Sequence, residues 1–153
     1  MKTYTEQELA AQPIGYWSGE AYRTIVAAIR AGLAEEALTQ PHWWILNHVA
    51  GRPGHWTRGP LAARLITFDD QDTDFDEVFD DLVRRGWLAE PAGPAQGALT
   101  LTGGGEAGRA RARARTAEVT RRIHEGVGTE EYTAALQVLR RMIDNLGGRS
   151  DLP

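Results

Sequence analysis

The stretch from Val78 to Ala112, VFDDLVRRGWLAEPAGPAQGALTLTGGGEAGRARA, constrains the fold most. Its first residues continue an apolar stripe that begins just before it, Phe75, Val78, Phe79 and Leu82, at the three-to-four spacing of a helix. Arg84 and Arg85 then place cations where a helix dipole favours them, and Gly86 supplies the stop. Two short extended runs, Trp87–Ala89 and Ala98–Leu101, flank the Pro/Gly-rich PAGPAQG and read as a hairpin. Thr102 follows as the cap of a long helix, about Gly105 to Glu125. Helix, hairpin, helix leaves room for only a minimal sheet, so the chain is expected to be mainly α.

The flanking periodicities complete the order. Residues 1–15 are weakly patterned. From Ser18, read as an N-cap, to Glu36, the residues Tyr22, Ile25, Val26, Ile29 and Leu33 form an amphipathic stripe. Thr39 caps a second helix running through Val49, with Pro41 in its first turn, and Gly51, Pro53 and Gly54 end it. Thr57 opens a third, with Leu61, Ala62 and Leu65 inward, and after the turn FDDQDT, Thr73 is read as the cap of the fourth. Beyond Gly126 and Gly128, a last helix carries Tyr132, Leu136, Leu139, Met142, Ile143 and Leu146 on one stripe. Three short helices followed by a hairpin make a winged helix-turn-helix. The expected organisation is therefore an N-terminal segment and dimerisation helix (1–37), a winged module (38–102) and C-terminal dimerisation helices (103–153). The outer stripes need a second copy to bury them, which predicts a homodimer.

Charge complicates this picture. The 153 residues carry a net charge of −4 and no cysteine, which excludes disulfides and thiolate chemistry. No apolar run reaches the ~20 residues of a membrane span, and the polar N-terminus is no signal peptide, so a cytoplasmic protein without membrane contact is expected. Eight acids, Asp69, Asp70, Asp72, Asp74, Asp76, Glu77, Asp80 and Asp81, crowd a stretch without a single base. Without them the remaining chain would carry +4. Arg109, Arg111, Arg113, Arg115, Arg121 and Arg122 form an opposing run.

The segments LTQPHWWILNHVAG, WTRGPLAARL, VFDDLVRRGWLAE and LTLTGGGEAGRARA resemble the MarR family of bacterial transcriptional regulators. The most specific piece is the pattern in which a helix ends in RRGW and a second strand leads through LT into a glycine-rich helix start. The resemblance implies a dimer whose fourth helices read successive major grooves of a palindromic operator. It also implies a small aromatic ligand bound between the dimerisation helices and the winged module. On that basis the DNA-contacting residues are expected to be Thr57, Arg58, Arg64, Thr73, Asp74, Glu77, Arg84 and Arg85. The ligand-contacting residues are expected to be Trp17, Tyr22, His42, Trp43, Trp44 and Phe68, flat or polar groups suited to a planar molecule. Trp43 and Trp44 are adjacent and point about 100° apart on a helix, so one of them is the better ligand wall.

The sequence departs from the family where DNA is read. The outward positions of the fourth helix, Thr73, Asp74, Asp76, Glu77 and Asp80, are mostly acidic, and the wing PAGPAQGAL has no cation. Carboxylates accept from cytosine N4 but repel phosphates. Three readings stay open. The acids form a solvated face of an intact regulator, whose arginines meet phosphates elsewhere. Alternatively the protein has lost DNA reading and binds, or transforms, a small aromatic molecule, its acidic face meeting a basic protein or a cation. The third is a calcium loop on Asp70, Asp72 and Asp74; it lacks the required glycine, having Phe75 there. His42 and His48 lie six apart, off a common helical face, so no metal site is assigned. No nucleophile elbow or phosphate loop appears, so no catalytic residue and no cofactor are assigned.

Overall fold

The computed structural model describes residues 2–90 and 97–151, so residues 91–96, most of the PAGPAQG expected from the sequence to turn the hairpin, lie outside the described residues. The chain forms two compact units, Met1–Val119 and Thr120–Pro153. Its elements run α1 (Glu6–Ala10), α2 (Ile14–Ala34), α3 (Gln40–Gly51), α4 (Arg58–Leu65), a single 3-10 turn (Ile66–Phe68), α5 (Phe75–Arg84), β1 (Leu88–Ala89), β2 (Thr100–Leu101), α6 (Gly103–Ile123) and α7 (Thr129–Asn145). The fold is mainly helical, as expected, with a two-stranded antiparallel sheet that pairs Leu88 with Leu101 and Ala89 with Thr100.

Two helix starts differ from expectation. Ser18 is not a cap: α2 begins at Ile14, after Pro13, and Ser18 donates its hydroxyl to the carbonyl of Gly15 inside the helix. Proline's fixed φ, −66° here, pre-sets the entry that a side-chain cap would otherwise provide. Thr73 is not the cap of α5 either. Asp74 accepts from the backbone N–H groups of Asp76 and Glu77 at 3.0 and 3.2 Å. Thr73 is held by another carboxylate: its N–H and hydroxyl both donate to Asp69, at 2.6 and 2.9 Å. The weakly patterned N-terminus also contains α1, closed by a capping box in which Thr5 and Glu8 satisfy each other's N–H groups.

The core of the first unit is the winged module itself. Phe75, Val78, Phe79 and Leu82 of α5 are all buried, against Ile45, Leu46 and Val49 of α3, Leu61 and Leu65 of α4, and Leu88 and Leu99 of the hairpin. Leu33, at the end of α2, and Ala112 of α6 join the same cluster. Gly86, at φ +67°, turns the chain from α5 into β1. Thr102 caps α6 as expected, accepting from the N–H of Gly105 at 3.0 Å while donating to the carbonyl of Gly86. The glycines of the first α6 turns serve Trp87. A Cβ on Gly105 would lie 2.1 Å from the Trp87 carbonyl oxygen, and one on Gly108 would lie 2.5 Å from its ring.

In the second unit, Gly126 at φ +72° breaks the chain before α7, and Glu131 accepts from the N–H of Gly128 at 2.8 Å. No residue of α7 is buried within the chain. Its apolar stripe leaves Tyr132, Leu136 and Met142 exposed, with Leu146 beyond its end.

Candidate nucleic-acid interface

α4 and α5 form the two helices of a helix-turn-helix, and α5 would be the reading helix. Its buried stripe fixes its orientation, so Asp74, Asp76, Glu77, Asp80, Arg84 and Arg85 remain exposed on the other side, with Thr73 half-buried at its start. Carboxylates in the first turn and arginines in the last complement the helix dipole. The acidity of this element therefore has a local structural use before any partner is considered.

Most of the acidic segment is engaged within the chain. Asp69 holds Thr73, and Asp74 caps α5. Asp70 accepts from the Tyr22 hydroxyl at 2.5 Å and pairs with Arg30, whose Nε also donates to Gln40. The Tyr22 hydrogen bond, aided by Arg30, holds the Asp70 carboxyl below its usual range, and Asp70 in turn raises Tyr22. Asp80 pairs with Arg58 at 2.7 Å, and Asp81 with Arg84 and Arg85. Burial alone would raise Asp81, but Arg85 and His42 outweigh it and the carboxyl is lowered. Among the described residues, Asp72, Asp76 and Glu77 have no side-chain hydrogen bond or ion pair.

The same contacts occupy several of the arginines expected at phosphates. Arg58 is clamped by Asp80 and by Glu90, to which it donates at 3.0 Å from Nε and lies 2.9 Å away through Nη2. Arg84 and Arg85 share Asp81. Arg64 instead donates to His48 Nε2 at 3.2 Å and has no carboxylate partner among the described residues. Thr57 is the N-cap residue of α4, although its side chain makes no capping hydrogen bond.

The residues expected at a ligand do not converge on one place. His42, alone of the six, lines an open groove of about 620 Å3 along α5, together with Thr73, Asp74, Glu77, Arg84 and Arg85. His42 Nδ1 accepts from the N–H of Thr39, so the ring proton sits on Nε2, which faces Asp81 at 3.2 Å. Burial lowers the His42 pKa, and Asp81 only partly offsets it. Trp43 and Trp44 are both half-buried and packed against the core. Trp17 is 47% exposed, donating to Gln12 and lying edge-on to Tyr4. Phe68 is half-buried in the 3-10 turn.

Sequence reading missed Arg30 and Asp70 as partners of Tyr22. No local pattern signals this cluster, because Asp70 lies 40 positions from Arg30 and 48 from Tyr22 in the chain. Asp70, Asp72 and Asp74 do not assemble as ion ligands: Asp70 faces Tyr22 and Arg30, while Asp74 faces the start of α5. Among the described residues no three His, Asp or Glu side chains come together to hold a metal. No described helix is long and apolar enough to cross a membrane.

A helix-turn-helix followed by a hairpin, between long outer helices, is the winged-helix fold of MarR-family transcriptional regulators, and this chain has that fold. It is similar to a MarR family transcription regulator designated SP03579, with a TM-score of 0.68 at 25% identity over 86% of this chain and 91% of that one. PcaV from Streptomyces coelicolor, a transcriptional regulator, superposes with a TM-score of 0.71 at 22% identity over 89% of this chain and 98% of its own. The transcriptional repressor CouR, bound to p-coumaroyl-CoA, gives 0.66 at 24% identity over 92% and 97%. No protein-family model matches the sequence, and no curated protein is recognisably similar to it.

Proposed function

We propose that this protein is a homodimeric, ligand-responsive transcriptional regulator that binds operator DNA through α5. The observation that carries the proposal is α5 itself, a helix whose apolar stripe is wholly buried while its polar side stays exposed behind α4. The internal pairing of Asp70, Asp80 and Asp81 supports it, because those charges are compensated before DNA arrives. The unburied α7 stripe supports a second copy as its cover. Thr73, Asp74 and Glu77 would face bases, and Thr57, Arg58, Arg64, Arg84 and Arg85 would approach phosphates. Fluorescence anisotropy on a random duplex across a salt series tests this. Binding at low salt with a log–log slope of several phosphates is expected; no binding at low salt would sink it.

For the ligand, the neighbours supply the class: CouR holds p-coumaroyl-CoA, and a Mycobacterium tuberculosis MarR family protein, Rv2887, was solved with salicylic acid. A small aromatic ligand near Tyr22 and His42 would compete for the hydrogen bonds these residues make to Asp70 and Asp81. Trp17, Trp43, Trp44 and Phe68 would be its remaining contacts. A second reading, a winged-helix protein that binds a small molecule without reading DNA, is favoured by one observation: Arg58, Arg84 and Arg85 already commit their charge to carboxylates. Mass spectrometry of the purified protein under non-denaturing conditions, showing a retained aromatic metabolite together with no duplex binding, would select that reading.

A further inference from the structure

Five arginines lie in the winged module, and the structure sorts them sharply. Arg58, Arg84 and Arg85 are ion-paired, Arg58 with Asp80 and Glu90, and Arg84 and Arg85 with the one carboxylate of Asp81. Arg52 and Arg64 are not: among the described residues neither is ion-paired, and both line the same groove of about 400 Å3 beside α3 and α4. Asn47, His48, Gly51 and Trp56 complete that lining, which contains no acid. In a chain of net charge −4, the two arginines of the module that have no carboxylate partner among the described residues line one concavity.

The neighbouring groups arrange both guanidiniums. His48 Nδ1 lies 2.9 Å from the carbonyl of Trp44 and therefore carries the proton, leaving Nε2 to accept from Arg64 Nε. That neutral ring fixes Arg64 without quenching its charge, and its remaining N–H groups are left for an acceptor. Arg52 Nη1 lies 3.3 Å from His55 Nε2. Trp56 is held edge-on by both imidazoles, at 5.9 and 4.8 Å, and its carbonyl accepts from Leu99 beside the wing at 2.7 Å. The Trp56 indole N–H is buried and has no acceptor. Both arginines sit at helix C-termini, whose partial negative charge, about half a unit each, offsets only part of two full positive charges.

We propose that this groove is an oxyanion site, taking a phosphate group on Arg52 and Arg64. Guanidinium forks match phosphate oxygens in pairs, which a point charge does not. The phosphate has two sources, the backbone of a bound duplex or a free phosphate; the first source rests on the DNA-binding reading above.

The test has two arms on the full chain. In the first, inorganic phosphate is titrated at constant ionic strength against chloride, following the Trp56 indole N–H resonance by NMR. A saturable shift, lost in Arg52→Ala/Arg64→Ala, is expected. Arg52→Gln alone should weaken it and guards against misfolding of the double variant, since among the described residues the Arg52 side chain is hydrogen-bonded only to His55. In the second arm, duplex binding is measured across a salt series. A slope reduced by about one unit per groove in the double variant identifies backbone phosphate as the source. A saturable phosphate shift with an unchanged slope identifies free phosphate. No saturable shift together with an unchanged slope overturns the proposal. Failure of wild-type protein to bind duplex at all would overturn the regulator reading while leaving the phosphate arm decisive for the groove.

Discussion

His42 joins two helices through one proton. Its Nε2–H faces Asp81 of α5 while Nδ1 accepts from Thr39 at the start of α3. Protonation would put a second proton on the ring, at Nδ1, which lies 3.3 Å from the Thr39 backbone nitrogen and 2.7 Å from the Thr39 hydroxyl. The folded pKa lies below the ordinary 6.5, because burial outweighs Asp81. The folded state therefore binds fewer protons than the unfolded one just below pH 6.5, and stability rises with pH there. His42's contribution is complete above that value and is lost as pH falls through the folded pKa. Asp81, lowered by Arg85 and His42 against its burial, adds a separate loss in a more acidic window, below 3.8. Thermal unfolding of wild type and His42→Gln between about pH 7.5 and 5 should show wild type losing more stability on acidification. Parallel curves would remove His42 from the account.

Gly105 carries a harsher prediction at the same scale. A methyl group there meets a backbone carbonyl rather than a mobile side-chain end, so Gly105→Ala cannot be relieved by a rotamer change. A loss of about 3 kcal/mol or more is expected, at the upper end of overpacking costs, read by chemical denaturation. Gly104→Ala, whose nearest contact is 3.4 Å, is the milder companion. A Gly105 variant as stable as wild type would mean that α6 docks differently on Trp87.

At the scale of elements, α5 shows what one sequence discloses. Its stripe is legible in full, because four apolar residues at helical spacing admit one buried face and all four are buried. Its cap falls one position later than the sequence suggests. Thr73 and Asp74 are both competent caps, and the choice is settled by Asp69 taking Thr73's N–H and hydroxyl, a contact that no propensity ranks. The start of α2 is hidden for a related reason: Ile14, Tyr16 and Trp17 are exposed, so the first turns carry no core-facing pattern. The site is less legible than the fold. Tyr22 and Asp70 are 48 residues apart, and only the folded chain pairs them. The cap assignment predicts that Asp74→Ala costs about 1 kcal/mol in chemical denaturation, with α5 helicity lost first in hydrogen exchange. If Asp74→Ala proves neutral, Asp74 does not cap the helix.

For the whole molecule, the acidic segment decides whether a winged helix with net charge −4 meets DNA. Among the described residues, five of its eight carboxylates have partners: Asp69, Asp70, Asp74, Asp80 and Asp81. Asp76 and Glu77 do not, and both are exposed in the first turn of α5, where a reading helix would approach the groove. If the proposed regulator binds duplex there, these two charges oppose phosphates without compensation. Asp76→Asn/Glu77→Gln should therefore tighten binding to random duplex. Four charges are removed from a dimer, each worth a few tenths of a kcal/mol at solvent-screened separations, so a gain on the order of tenfold follows. Anisotropy at fixed low salt would measure it, with far-UV circular dichroism confirming that α5 persists despite its weakened dipole complement. Specific operator affinity should move the other way if Glu77 accepts from a cytosine, because one base contact is worth about 1–3 kcal/mol. Unchanged affinity for both duplexes would place α5 away from DNA, and the acidic face would then belong to another partner.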